Sequence, residues 1–116
     1  MARALGGFEQ LILLAILRLG GRVHGVAIRR EIEARTGKEA STGALYTTLE
    51  RLEKRGLISG RLGSPTPERG GRRKRLYSLE AEGVDSLRES YAAFASMVVD
   101  IEERLTFPHR PVVEES

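Results

Sequence analysis

The sequence predicts a mainly α fold (α+β): three helices, a two-stranded antiparallel hairpin and one long final helix. Three observations predict it. Apolar residues recur at helical spacing over 5–19, 24–36 and 41–55. Two short β-prone runs, 57–62 and 75–79, flank a stretch rich in Gly, Pro and cations. From Glu80 onward the apolar positions follow a heptad pattern.

The first helix, LGGFEQLILLAILRL over 5–19, is apolar on almost every side. Such a helix is buried on more than one face. In a small protein that sets it between the domain and something else. Gly20 and Gly21 stop it. The second helix, 24–36, turns Val26, Ala27, Ile28 and Ile32 inward and Arg29, Arg30, Glu31 and Arg35 outward, and Gly37 is its stop. The third, 41–55, takes Ser41 or Thr42 as N-cap. Leu45, Leu49 and Leu52 form its buried stripe. Its opposite face carries Gly43, Thr47, Glu50, Arg51 and Lys54, with Tyr46 at the edge.

The stretch GSPTPERGGRRK joins the two strand candidates. Its two prolines, three glycines and four cations make a poor strand and a good basic loop. The last helix runs from near Glu80 to about Leu105. Val84, Leu87, Tyr91, Phe94, Val98, Ile101 and Leu105 alternate in steps of 3 and 4, an a/d seam over three heptads. So narrow a stripe fits a partner helix better than a broad core. Pro108 and Pro111 end the helix, and 106–116 reads as a flexible tail. The expected organisation is a DNA-binding domain over 1–79, a dimerisation helix over 80–105 and that tail.

The chain has 116 residues, no cysteine, two histidines and a net charge of +3. Without cysteine there are no disulfides, thiolate zinc sites or cysteine nucleophiles. His24 and His109 have no partner at metal-ligand spacing. No nucleophile–base pair and no Gly-rich phosphate loop stand out, so an enzyme is not expected, and no cofactor or metal is implied. No apolar run reaches the ~18 residues that span a bilayer. No membrane role is expected, and a cytoplasmic location is consistent with the cysteine-free composition.

Charge is unevenly spread. Residues 1–60 carry +4, residues 61–76 carry +5, and residues 77–116 carry −6. A basic body with an acidic end presents one face to a polyanion and turns another away. The order helix, helix, helix, strand, basic loop, strand, long helix is that of a winged helix-turn-helix with a two-stranded wing and a long C-terminal dimerisation helix. Its third helix fits a major groove, and its basic loop can follow the backbone or enter the minor groove.

Three stretches carry a family resemblance: HGVAIRREIEARTG (24–37), GALYTTLERLEKRGLI (43–58) and GGRRKRLYSLEAEG (70–83). Together they resemble the PadR family of bacterial transcriptional regulators, over roughly residues 5–90. The G-x-L-Y before a leucine-stripe helix ending in G-L-I, and the later R-x-Y-x-L-x-x-x-G, are the specific parts. The short C-terminal part is similar to the class with a single dimerisation helix. The resemblance implies a homodimer, usually a repressor, that binds double-stranded DNA at a pseudo-palindromic operator. Thr47 stands where many relatives have proline, and Arg73 replaces a wing proline, so operator identity does not carry over.

The expected DNA-binding residues are Ser41, Thr42, Gly43, Tyr46, Thr47 and Arg51 on the third helix, and Arg69, Arg72, Arg73, Lys74 and Arg75 on the wing. Arg51 reads better as a phosphate contact than as a solvated charge. Lys54 reads as solvated, and Tyr46 as a ring packed inward with its hydroxyl on a phosphate. The expected dimer interface is Leu5, Phe8, Ile12, Val84, Leu87, Tyr91, Phe94, Val98, Ile101 and Leu105. The meeting of Phe8, Tyr91, Phe94 and Met97 there is the place left open for a small-molecule effector. The alternative is a winged-helix protein–protein or RNA-binding adaptor without sequence-specific DNA binding.

Overall fold

The computed structural model describes residues 4–64 and 74–106. In chain order the elements are α1 (Gly7–Leu19), β1 (Val23–His24), α2 (Gly25–Thr36), α3 (Thr42–Lys54), β2 (Ile58–Leu62), β3 (Arg75–Leu79), α4 (Ala81–Val98) and α5 (Glu102–Thr106).

Helix starts and stops follow local chemistry. The Glu9 carboxylate accepts the Gly6 N–H at 2.9 Å and so caps α1. His24 Nδ1 accepts the Ala27 N–H at 3.3 Å at the start of α2. Ser41 Oγ accepts the Ala44 N–H at 3.0 Å at the start of α3, so Ser41 is the N-cap. Gly37 ends α2 in the left-handed region at φ 73°, its N–H donating to the Glu33 carbonyl at 2.9 Å.

The core lies where α1, α2 and α3 meet the sheet. Ile12, Leu13 and Ile16 from α1, Ile28 from α2, and the Leu45, Leu49 and Leu52 stripe of α3 are fully buried with Ile58 of β2. The expected stripe is therefore the core face of α3.

Two expectations need correction. The sheet has three antiparallel strands in the order β1-β3-β2, not two. Val23 pairs with Tyr77 and His24 with Leu76, so the start of the expected second helix is instead a short strand. The pairing satisfies backbone groups between α1 and α2 that would otherwise lie idle beside the central strand. The long helix is also interrupted. α4 ends at Val98, Val99 is extended, and Asp100 is left-handed at φ 74°. Val98 and Val99 are adjacent β-branched residues at an exposed helix end, where lost rotamer freedom disfavours helix, and aspartate tolerates the left-handed turn. Ile101 thus lies outside α4, and Leu105 sits on the separate, fully exposed α5. The expected tail after residue 106 lies outside the described residues.

The junction between the sheet and α4 is tight. The Glu80 N–H donates to the Leu57 carbonyl at 3.0 Å. Gly83, the last residue of R-x-Y-x-L-x-x-x-G, lies against that same carbonyl, and a Cβ there would collide with it.

Candidate nucleic-acid interface

The N-terminal half of α3 presents Ser41, Thr42, Gly43 and Thr47 to solvent. Gly43 is the barest point of this face: a Cβ added to it would meet nothing within 4 Å. Ser41 spends its acceptor on the cap, which leaves its hydroxyl proton for an outside partner. These small polar side chains suit a surface that must approach base edges closely.

Tyr46 is 40% exposed, with its ring against α2. Its hydroxyl lies over Gly25, where a Cβ would stand 2.7 Å from Cζ. The G-x-L-Y tyrosine therefore works as a spacer between α3 and the start of α2, and only glycine fits beneath it. Tyr77, its neighbour across the cleft, is buried in the central strand. Burial pushes the Tyr77 phenol above its ordinary ionisation range, against the opposing pull of Arg75.

Two of the expected DNA contacts, Arg51 and Arg75, have internal partners, and Arg55, which was not among them, shares the partner of Arg51. Arg51 Nη1 lies 3.5 Å from Glu9 Oε2, and Arg55 Nη1 lies 3.2 Å from Glu9 Oε1. Burial opposes ionisation of Glu9. The Gly6 N–H and the guanidinium groups of Arg55 and Arg51 outweigh it and hold the carboxyl below its ordinary value. Arg75 Nη2 lies 2.6 Å from Glu53 Oε2. Tyr46, Glu50, Glu53, Lys54, Arg75 and Tyr77 line one open cleft of about 490 Å³ between α3 and the wing strand.

Lys74 is exposed at the root of the wing. His24, on the neighbouring strand, is held below its ordinary range by burial and then by the fields of Lys74 and Arg30. The fields of Lys74, at the root of the wing, and Arg30, on α2, therefore meet at His24. Arg69, Arg72 and Arg73 lie outside the described residues.

The second candidate surface is apolar. Tyr91, Phe94 and Met97 on α4 are 74%, 67% and 77% exposed, far more than large apolar side chains reach in a closed core. Leu14 and Leu17 of α1 continue this face. Leu14, Leu17, Val84, Leu87, Tyr91 and Phe94 line a groove of about 620 Å³ with Gln10 and Arg88 at its rim. Leu5 and Ile12, expected at a dimer interface, are instead 8% and 0% exposed and belong to the protomer's own core. Leu87 is also mostly buried, and Phe8 packs partly against the core. Leu14 and Leu17 take the outward positions instead, because α1 turns Ile12, Leu13, Ala15 and Ile16 to the core.

Sequence reading missed Glu9, Glu53 and Gly25 as members of this architecture. Glu9 had a signal, an acidic residue three positions after the helix cap. Among the described residues no group of three His, Asp or Glu could hold a metal ion. No described helix is long and apolar enough to cross a membrane.

Comparison with known proteins agrees with this geometry. Among curated proteins none matches the chain. The F93 protein from STIV, a winged-helix DNA-binding protein, superposes at TM-score 0.66 with 20% identity, covering 84% of this chain and 98% of that one. A PadR family transcription regulator from Clostridium difficile superposes at TM-score 0.67 with 22% identity, covering 85% and 99%. The complex structure of hsRosR-S4 matches at 27% identity and TM-score 0.65, covering 97% and 90%. The fold is thus the winged helix of DNA-binding proteins, and the family is one of regulators, not enzymes. The family model for the PadR-like transcriptional regulators matches residues 13–89, and the chain belongs to that family of DNA-binding regulators.

Proposed function

We propose that the chain acts as a homodimer that reads a pseudo-palindromic operator and represses transcription from it. In this reading 1–79 binds DNA, 80–105 pairs the two copies, and the protein works in the cytoplasm. Each α3 enters a major groove through Thr42, Gly43 and Thr47, with Ser41 and Tyr46 near the backbone. Arg69, Arg72, Arg73 and Lys74 neutralise phosphates.

One observation carries the reading. A chain of a DNA-binding family exposes a continuous apolar face of Leu14, Leu17, Tyr91, Phe94 and Met97. A second copy, related by a two-fold axis, is the partner that buries such a face symmetrically. In this reading the two α3 helices would lie about one DNA turn apart, ~34 Å, the spacing that an inverted repeat requires. The groove between α1 and α4 is the place for an effector in this reading: Leu14, Leu17, Tyr91 and Phe94 line it, so a molecule seated there would lie within the pairing surface itself.

Selection from a random duplex library at ~150 mM salt, where weak phosphate attraction is screened, tests the reading. An enriched inverted repeat with half-sites one turn apart is the expected result. Binding that vanishes with salt and selects nothing would overturn it and favour a protein or RNA adaptor.

A further inference from the structure

Arg75 opens β3, and Glu53 lies in the last turn of α3. Their 2.6 Å contact is at the short end for a charge-assisted hydrogen bond. The pair lies across β2. A Cβ built on Gly60 would stand 2.8 Å from Arg75 Nε, 2.9 Å from Arg75 Nη2 and 3.0 Å from Glu53 Oε1. One ion pair therefore touches α3, β2 and β3 together, and a side chain at position 60 would force the ends of both partners to shift. In the ladder Arg75 pairs with Leu62, while Gly60 pairs with Tyr77. The guanidinium thus reaches two residues along β2 to meet Glu53.

We propose that Glu53 and Arg75 form a latch that fixes the wing against the recognition helix, and that Arg75 is a positioning residue rather than a phosphate contact. The proposal rests on the DNA-binding reading above. The side chains of Arg75 and Glu53 are 43% and 30% exposed, so the pair adds little to global stability. Its effect is on geometry. The wing must meet the backbone while α3 sits in the groove, and the angle between them decides whether both contacts form at once.

The two roles predict opposite signs. Glu53 is an anion beside a surface for a polyanion, so electrostatics alone makes its removal strengthen binding. A latch makes its removal weaken binding.

The test uses the full chain and the operator recovered by selection. Glu53→Gln and Arg75→Gln are each expected to weaken operator binding about tenfold, and the double variant by no more than either. Exchanging the charges, Glu53→Arg with Arg75→Glu, is expected to recover most of the loss. The salt dependence of Arg75→Gln should keep the wild-type slope. A slope reduced by about one in Arg75→Gln, with tighter binding by Glu53→Gln, would make Arg75 a phosphate contact and overturn the latch. Unchanged affinity in both single variants would also overturn it. A wild-type chain that selects no DNA sequence would be a failure of the functional reading, and the latch is then judged in the free protein. Faster amide exchange in β2 and β3, equal in both single variants and not additive in the double, supports it; exchange indifferent to either change overturns it.

Discussion

Glu9 Oε1, at the start of α1, accepts a hydrogen bond from Arg55 Nη1 at 3.2 Å from the far end of α3, across 46 residues of sequence. Arg51 reaches the other oxygen of the same carboxylate. One nearly buried anion thus ties the helix that borders the apolar face to the helix that presents the polar one.

Glu9→Gln should cost about 2 kcal/mol at neutral pH, because the hydrogen bonds to guanidinium lose their charge assistance. Glu9 ionises below its ordinary value of 4.5 in the folded chain. The unfolded state therefore binds more protons in the acid range, and this stability is complete above 4.5 and is lost as pH falls through the folded value. Urea unfolding across that range should show the variant and wild-type curves converging in acid. A constant gap would remove Glu9 as the cause.

Gly83→Ala should destabilise the fold by about 1–3 kcal/mol, since the new methyl group meets a backbone carbonyl that cannot swing away. Thermal unfolding measures this directly. A melting temperature equal to that of wild type would show that α4 does not press on Leu57.

Gly43→Ala is the opposite case. The methyl enters open space, and replacing a helical glycine should stabilise the fold by about 0.5 kcal/mol. The same methyl should weaken operator binding if this surface approaches bases. Equal affinity with raised stability would move the reading face elsewhere on α3.

Phe94→Glu, or Tyr91→Glu, should convert a dimer to a monomer while leaving the far-ultraviolet spectrum unchanged, because these rings have no place in the protomer core. Sedimentation equilibrium decides it. A variant that stays dimeric would locate the interface off α4.

Charge removal at Arg72 and Arg73 should weaken all DNA sequences alike and flatten the salt dependence by about one per phosphate lost. Replacing Thr47 should change preference at one operator position. Affinities measured on operator and scrambled duplexes over a salt series separate the two, and a uniform loss from Thr47 would argue against base reading.

Much of this was legible because it is local. The leucine stripe of α3, the Ser41 cap and the Gly37 stop each depend on residues within a turn of one another. Helix α1 shows the limit. It is apolar all round, so periodicity carried no phase, and Ile12 was placed outward where Leu14 and Leu17 belong. The heptad count carried the last helix past Val98, because spacing alone does not register two adjacent valines at an exposed end. Charges could be counted but not paired: nothing near Arg51 or Arg75 in sequence names Glu9 or Glu53 as its partner. Strand β1 is two residues long and has no alternation to read. It exists because β3 offers a free edge.

That last pairing bears on when the protein becomes competent during its own synthesis. Val23 and His24 are made early, and their hydrogen-bond partners Tyr77 and Leu76 emerge only after the whole basic loop. Chains grow from the N-terminus, and contacts between distant segments wait for the later one. A nascent chain stopped before Arg75 holds all three core helices but has nothing to close the sheet. The arginines of the wing leave the ribosome just ahead of the strand that completes the sheet, so the chain's densest positive charge and the sheet that carries it are finished almost together.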